Sequence, residues 1–173
     1  MNRPSILGIA AMTALGLAVL SGSVVAQQKT LKEQLVGTWT LVSSDQVRPD
    51  GSKLKQFGAN LTGVNVFDAN GRFFVLIASA DDSKIASNNP NPNKTNPEEG
   101  GGLIPESMAY YGTYLVNETE KVVMLHLEAS TFPNLVGTDQ KRIITSLGAD
   151  ELKYTNPAAM RGLQVHQVWK RAE

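Results

Sequence analysis

Polar side chains that could perform acid–base chemistry recur on two segments of strand-like composition that follow one another. His126 and Glu128 are two residues apart in the first segment, and Gln140 and Arg142 are two apart in the second. Because alternate residues of a strand share a face, each pair projects to one side of its strand. An imidazole acting as general base, with a guanidinium to steady an anion, would suit proton transfer or isomerisation.

The orientation of these side chains decides whether they form one site. If they point inward, Glu128 and Arg142 should pair, because an isolated buried charge is too costly to keep. His126 and Gln140 would then be available to hydrogen-bond a ligand. The alternative is that the polar residues face solvent while their apolar neighbours, such as Leu127, fill the interior. Periodicity alone leaves both orientations open.

Eight segments have the composition of β-strands, rich in Val, Ile, Phe, Tyr and Thr. A single helical turn, with Leu31 and Leu35 four residues apart, precedes them. The predicted strands cover about 37–44, 62–68, 72–79, 109–117, 121–129, 139–147, 151–155 and 163–171.

Short and long connections alternate strictly between these strands. The short ones lie near residues 68–71, 117–120 and 148–150, and the long ones span about 45–61, 80–108, 130–138 and 156–162. In an up-and-down sheet, successive turns fall at opposite ends. The tight turns should therefore gather at one end, the floor, and the long loops at the other, the mouth. The sequence predicts an all-β, eight-stranded antiparallel up-and-down barrel, with a two-sheet sandwich as the alternative.

The two tryptophans of the chain stand at opposite ends of this region. Trp39 follows closely on Gly37 at the start of the first strand, and Trp169 precedes two cations at the end of the last. Closing a barrel makes the first and last strands neighbours, so an indole and a cation should meet at the floor. We expect a structural role there for Gly37, Trp39, Trp169 and Arg171. Because Lys170 is adjacent, the sequence leaves open which cation covers the indole.

The first 26 residues have the pattern of a secretory signal peptide, which is cut before Gln27. A short basic start precedes the apolar run 6–20, and Ala26 completes a small-residue cleavage site. Ser23 stands where a lipoprotein signal requires a lipid-bearing cysteine. We expect an exported, periplasmic or secreted single domain, residues 27–173, without a stable membrane anchor. An uncleaved anchor is the alternative.

Composition narrows the function classes further. The chain has 16 basic and 16 acidic side chains, so no basic field exists to hold a nucleic acid. The absence of cysteine excludes thiol nucleophiles, zinc–thiolate sites and iron–sulfur clusters. We expect no cofactor and no metal; a haem bound by His166, or zinc bound by His126, Glu128 and His166, are minor alternatives.

The connection 80–108 is the longest in the chain and is rich in Asn, Pro and Gly. Such a segment has little apolar surface to bury. At the mouth of a barrel it is either a lid or a disordered loop, and the sequence does not separate the two.

A set of ordered motifs resembles those of bacterial lipocalin-like domain proteins. The motifs are Gly37-Thr38-Trp39, Tyr111-Gly112-Thr113-Tyr114, His126-Leu127-Glu128-Ala129-Ser130, Phe132-Pro133-Asn134, Gly137-Thr138-Asp139-Gln140-Lys141-Arg142 and Val168-Trp169-Lys170-Arg171. The resemblance spans about residues 35–171. It implies a calycin-type barrel enclosing a small apolar or amphipathic molecule, and it favours the inward orientation of the polar motifs.

The expected function is therefore the binding of a small hydrophobic or amphipathic ligand by an exported barrel. Tyr111 and Tyr114 have opposite parity, so only one of them can line the interior. The candidate ligand-binding residues are His126, Glu128, Gln140, Arg142, Tyr111 and Tyr114. The alternative function is a cavity-based isomerase or cyclase using His126, Glu128 and Arg142, and a third is a structural module with a packed interior.

Overall fold

Strands account for most of the residues that the computed structural model describes, which are 29–54, 59–80, 107–159 and 162–173. One short helix, α1, precedes the strands, and a 3-10 turn, Pro133–Leu135, follows the sixth. The elements in chain order are α1 Leu31–Leu35, β1 Gly37–Val47, β2 Lys53–Leu54, β3 Leu61–Phe67, β4 Arg72–Ser79, β5 Ser107–Asn117, β6 Val122–Ser130, β7 Asp139–Leu147, β8 Glu151–Asn156 and β9 Gln164–Arg171.

Pairing of the first and last long strands closes the sheet. The strands follow one another as β2-β1-β3-β4-β5-β6-β7-β8-β9, all antiparallel, and β1 also pairs with β9. The eight strands β1 and β3–β9 form the barrel, so the predicted fold class and the helical turn before it are confirmed. The two-residue β2, which pairs with the end of β1, was not predicted because two residues carry no periodic pattern.

The tight turns lie together at the floor of the barrel. The β5–β6 turn supplies Glu118, whose carboxylate accepts from the first turn of α1. The β7–β8 turn supplies the Asp150 carbonyl, which accepts from the N–H of Arg171 at the end of β9 (2.8 Å). The predicted signal peptide and most of the predicted loop 80–108 lie outside the described residues. Within the described part of the chain, no helix is long and apolar enough to cross a membrane.

The helix α1 is fastened at its amino end by two carboxylates. Thr30 and Glu33 form a capping box: Thr30 Oγ1 accepts from the Glu33 N–H (3.1 Å), and the Glu33 carboxylate accepts from the Thr30 N–H (2.8 Å). Glu118 accepts from the N–H groups of Leu31 (2.7 Å) and Lys32 (3.0 Å). A helix of five residues is too short to persist alone. It is therefore held in place by its contacts with the barrel.

The structure places Arg171, rather than Lys170, over Trp39. The guanidinium carbon lies 4.0 Å from the centre of the indole, and the Lys170 side chain is exposed. Trp39 is fully buried, and its Nε1 donates to the Leu35 carbonyl at the end of α1 (2.9 Å). The indole thus lies between the helix and the cation and closes the floor.

The same guanidinium hydrogen-bonds three backbone carbonyls. Arg171 donates to Gln34 (2.7 Å) and Val36 (2.9 Å) at the end of α1, and to Ala149 in the β7–β8 turn. A cation at the carboxyl end of a helix satisfies carbonyls that lack partners within the helix. Gly37 is needed beside it, because its φ is +137° and a Cβ there would lie 2.5 Å from Arg171 Nη1.

Arg171→Gln tests how much this floor stabilises the barrel. We expect it to lower the free energy of unfolding by about 2–4 kcal/mol, because it removes the cation–π contact and charge-assisted hydrogen bonds. Urea denaturation followed by tryptophan fluorescence measures the change. Lys170→Gln removes the same charge from the exposed neighbour and should change the value by no more than about 0.5 kcal/mol. Equal effects from the two variants would contradict the assignment.

Candidate functional site

A cavity of about 180 Å³ occupies the mouth half of the barrel. Side chains fill the floor half. For example, the rings of Phe67 and Tyr114 pack edge to face, with 5.1 Å between their centres. The cavity is lined by Ser44, Gln46, Ile77, Met108, Tyr110, Leu127, Leu135, Gln140, Arg142, Asn156, Ala158, Ala159, Val165 and Gln167.

One wall of this cavity is polar. It is built by four consecutive strands, β7, β8, β9 and β1, which supply the polar Gln140, Arg142, Asn156, Gln167, Ser44 and Gln46 together with the apolar Val165. Some of these groups are held by hydrogen bonds within the wall. Gln167 Nε2 donates to Ser44 Oγ (3.2 Å), and Gln140 Nε2 donates to Thr138 Oγ1 (3.1 Å).

The opposite wall is apolar. Ile77 of β4, Met108 of β5 and Leu127 of β6 line it, and Leu135 of the 3-10 turn adds to it at the mouth. Tyr110 of β5 is the exception, because its hydroxyl reaches across to the polar wall. The cavity therefore presents hydrogen-bonding groups on one side and hydrocarbon on the other.

Arg142 is the charged group of the cavity, and it is 4% exposed. Its Nη2 donates to Tyr110 Oη (3.2 Å), and its Nη1 donates to the Lys141 carbonyl (2.9 Å). Its guanidinium carbon lies 5.9 Å from the centre of the Tyr154 ring. Burial opposes the charged form, but Tyr110 and Tyr154 outweigh it and hold the pKa of Arg142 above its ordinary value. The guanidinium stays charged.

No carboxylate forms an ion pair with Arg142 among the residues that the structure describes. Its Nε is buried without a hydrogen-bond partner in the same part of the chain. A buried donor without a partner costs free energy, and more so when it is charged. The site therefore has a directed hydrogen-bonding capacity that the described protein groups leave unused.

A polar layer around Tyr154 lies beneath Arg142. Tyr154 Oη accepts from Asn65 Nδ2 (3.3 Å), and the ring stacks at 6.2 Å between centres on Trp169. Asn65 Oδ1 and Trp169 Nε1 are, like Arg142 Nε, buried without a hydrogen-bond partner in the described structure. Burial raises the pKa of Tyr154, so the phenol stays neutral. This layer separates the cavity from the packed floor.

The expectation that His126 and Glu128 face inward is wrong. Both lie on the outer wall, and the alternating apolar residues Val123, Leu125 and Leu127 fill the interior instead. The register between β6 and β7 is the reason. It sets Val123, rather than His126 or Glu128, opposite the inward Arg142.

The outer polar residues pair with one another. His126 Nδ1 lies 2.8 Å from Asp139 Oδ1. Glu128 accepts two hydrogen bonds from Arg72 at 2.8 and 2.9 Å, so the expected Glu128–Arg142 pair does not form. Because His126 and Glu128 lie outside and Arg142 inside, the constellation expected of an isomerase or cyclase is not assembled.

Gln140 and Arg142 lie on the inner face and line the cavity, so the structure brings these two candidates together. Their role in binding a ligand stays a prediction. Tyr114 also points inward, but it lies at the floor, where its Oη donates to the Asp68 carbonyl (2.7 Å). Tyr111 faces outward and is 44% exposed, so it does not line the interior.

Tyr110 is the tyrosine of the cavity, and the sequence analysis missed it. Tyr110 shares a face of β5 with Gly112 and Tyr114, and this alternation is the feature of the sequence that could have identified it. The pairing of β5 with β6 shifts between Tyr111 and Gly112, leaving Glu128 unopposed on the outer wall. A Cβ on Gly112 would lie 1.9 Å from the His126 carbonyl oxygen, so the close approach requires glycine.

His166 lies on the outer face of β9, where its Nδ1 is 2.9 Å from Thr155 Oγ1. It therefore does not point into the barrel as a haem ligand would. Among residues 29–54, 59–80, 107–159 and 162–173, no group of three or more His, Cys, Asp or Glu side chains could hold a metal ion.

Comparison with known proteins identifies one family model, described as a lipocalin-like domain, which matches residues 36–172. No curated protein matches the chain.

Solved structures with a similar fold have low sequence identity to the chain. A lipocalin-like protein from Bacteroides uniformis ATCC 8492 is 12% identical, with a TM-score of 0.44 over 80% of this chain and 99% of its own. An uncharacterized protein from Bacteroides eggerthii DSM 20697 is 13% identical, with a TM-score of 0.42 over 80% and 99%. Bovine odorant binding protein, in complex with a selenium-containing odorant, is 14% identical, with a TM-score of 0.42 over 84% and 74%.

The raised pKa of Tyr154 predicts a loss of stability at high pH. The pKa of Tyr154 in the unfolded chain is near 10.0. Its contribution to the free energy of unfolding is therefore fully present below pH 10 and is lost as the pH rises from there toward the pKa of the folded state. The loss approaches about 1.4 kcal/mol per pH unit. We expect urea denaturation from pH 9.5 to 11.5 to show this slope and Tyr154→Phe to reduce it. A slope that Tyr154→Phe leaves unchanged would contradict the prediction.

Proposed function

The chain belongs to the lipocalin-like domain family, and we propose that it binds a small amphipathic molecule in the cavity at the mouth of its barrel. The observation that carries this proposal is the division of the interior into a packed floor and a cavity with walls of unlike polarity. A barrel that served only as a structural module would have its interior packed to the mouth, as protein cores are.

The two walls indicate a ligand that is polar along one side. A purely hydrocarbon ligand would leave the buried charge of Arg142, whose Nε has no partner among the described residues, against apolar atoms, which costs free energy. A purely polar ligand would bury no apolar surface of its own against Met108 and Leu127. An amphipathic molecule lying between the two walls satisfies both.

The size of the cavity limits the ligand. One water needs about 10–15 Å³ of such space, so a cavity of about 180 Å³ has room for about 12–18 non-hydrogen atoms. A compact molecule with two or three rings is of this size, whereas a long-chain lipid would extend beyond the mouth.

Binding is favoured over catalysis by the chemistry of the lining. The described residues that line the cavity include no histidine and no carboxylate, the usual general bases of an isomerase or cyclase. The remaining ionisable groups are the guanidinium of Arg142 and the phenol of Tyr110. The first is always charged, and neither is an effective base near neutral pH.

Met108→Trp tests the cavity as the binding site. The dye N-phenyl-1-naphthylamine is uncharged, has a size that the cavity can hold, and fluoresces more strongly in apolar surroundings. We expect it to bind the native protein saturably with a stoichiometry of one. The added indole at position 108 should fill the apolar wall and weaken binding at least tenfold.

Met124→Trp is the matched control, because Met124 belongs to β6 but faces outward. It should leave dye affinity within twofold, as should His126→Ala on the same outer wall. If Met124→Trp weakens binding as much as Met108→Trp, the dye binds outside the barrel and the proposal is wrong.

We further propose that the protein acts outside the cytoplasm, in the periplasm or the medium. Support comes from the basic start, apolar run and small-residue cleavage site of residues 1–26. Expression of the full chain in a Gram-negative host should yield periplasmic protein whose intact mass corresponds to a chain beginning at Gln27. A cytoplasmic product that retains Met1 would contradict export.

A further inference from the structure

Arg142 carries a buried charge for which the described part of the chain supplies no counter-ion. Acidic residues of the barrel strands are engaged elsewhere: Glu128 pairs with Arg72, and Asp139 lies against His126, both on the outer wall. A side chain of β6 or β7 that points outward cannot reach the interior without breaking its strand. The described residues therefore leave the charge of Arg142 without a counter-ion, and a bound anion would supply one.

The surroundings of Arg142 fix the orientation of its guanidinium. Tyr154 lies against one face, the Lys141 carbonyl accepts from Nη1, and Tyr110 accepts from Nη2. Nε is left without a partner among the described residues. A guanidinium held in this way is preorganised, so little side-chain entropy is lost when an acceptor binds to it.

Tyr110 extends the same acceptor site. Because its oxygen accepts a hydrogen bond from Arg142, its own O–H is directed away from the guanidinium and can donate to a second group. Tyr110 and Arg142 both line the cavity. One phenol O–H and one guanidinium N–H thus adjoin each other, and an oxyanion with two oxygens can accept from both.

We propose that the ligand of the cavity is an organic monoanion, a carboxylate or a sulfonate, whose charged group binds Arg142 and Tyr110. Its apolar body lies against the wall of Ile77, Met108 and Leu127. This inference rests on the proposed binding function and names the chemical class of its ligand. A water molecule or an inorganic anion could also accept from Arg142, and a pair of probes that share one organic body separates these cases.

The test compares 2-naphthoate with 2-naphthamide, which have the same shape and differ in charge. Isothermal titration calorimetry at neutral pH and fixed salt concentration measures the affinity of the full-length mature protein for each. We expect 2-naphthoate to bind at least tenfold more tightly, because a charge-assisted hydrogen bond in a buried site is stronger than a neutral one. Replacing sodium fluoride with sodium chloride at the same ionic strength should not displace 2-naphthoate from the protein.

Arg142→Gln should bring the affinity ratio of the two probes close to one. Lys141→Gln removes one positive charge from the adjacent residue, which faces outward, and should keep the native ratio. If Arg142→Gln does not fold, Tyr110→Phe supplies the same information, since it removes one donor and should lower the ratio at least twofold. Circular dichroism confirms the fold of each variant.

The outcomes distinguish this inference from the function on which it rests. If 2-naphthoate and 2-naphthamide bind with equal affinity, or if Arg142→Gln retains the preference, the ligand is not recognised as an anion. Displacement by chloride would assign Arg142 to a small inorganic anion and also overturn the inference. If neither naphthalene probe nor N-phenyl-1-naphthylamine binds, the proposed binding function itself fails.

Discussion

The pairing of β1 with β9 is the constraint on which the other features of this barrel depend. Trp39 lies opposite Arg171 and Val47 opposite Gln164, so the two strands pair along nearly their whole length. Closure gives the sheet an inside, and the parity of each residue then decides whether it meets protein or solvent. The packed floor, the cavity and the outer ion pairs all follow from that division.

The strands and their order could be predicted because their signals are local. Alternating apolar residues and turn residues such as Gly71 mark each strand end, and the alternation of short and long links fixes the two ends of the barrel. The side of the barrel wall on which His126 lies could not be predicted, because it depends on the register between β6 and β7. That register sets His126 opposite the exposed Asp139, and a strand that is apolar at both Val122 and Met124 carries no sign of it.

The sequence indicates the polar wall of the cavity in a different way, through polar residues at the core positions of a strand. Gln167 lies between Val165 and Trp169 at the parity of the core. Gln46 is of opposite parity to Trp39, and it faces inward only because of the β-bulge between Leu41 and Ser43. A polar residue at an apolar parity must be buried, so it indicates an internal site better than a run of polar residues does. Gln46 and Asn156 fell just beyond the predicted ends of their strands, where strand assignments are least certain.

The contact of Arg171 with the end of α1 also has a consequence for how the chain folds. Arg171 and Val36, which it hydrogen-bonds, are 135 residues apart in sequence. Contacts of such long range form late and make folding slow, because the entropy of closing the loop must be overcome before the contact contributes. Until β9 has been synthesised, β1 has an open edge and the indole of Trp39 has no cover. The barrel can therefore close only when its last strand is available to pair with its first.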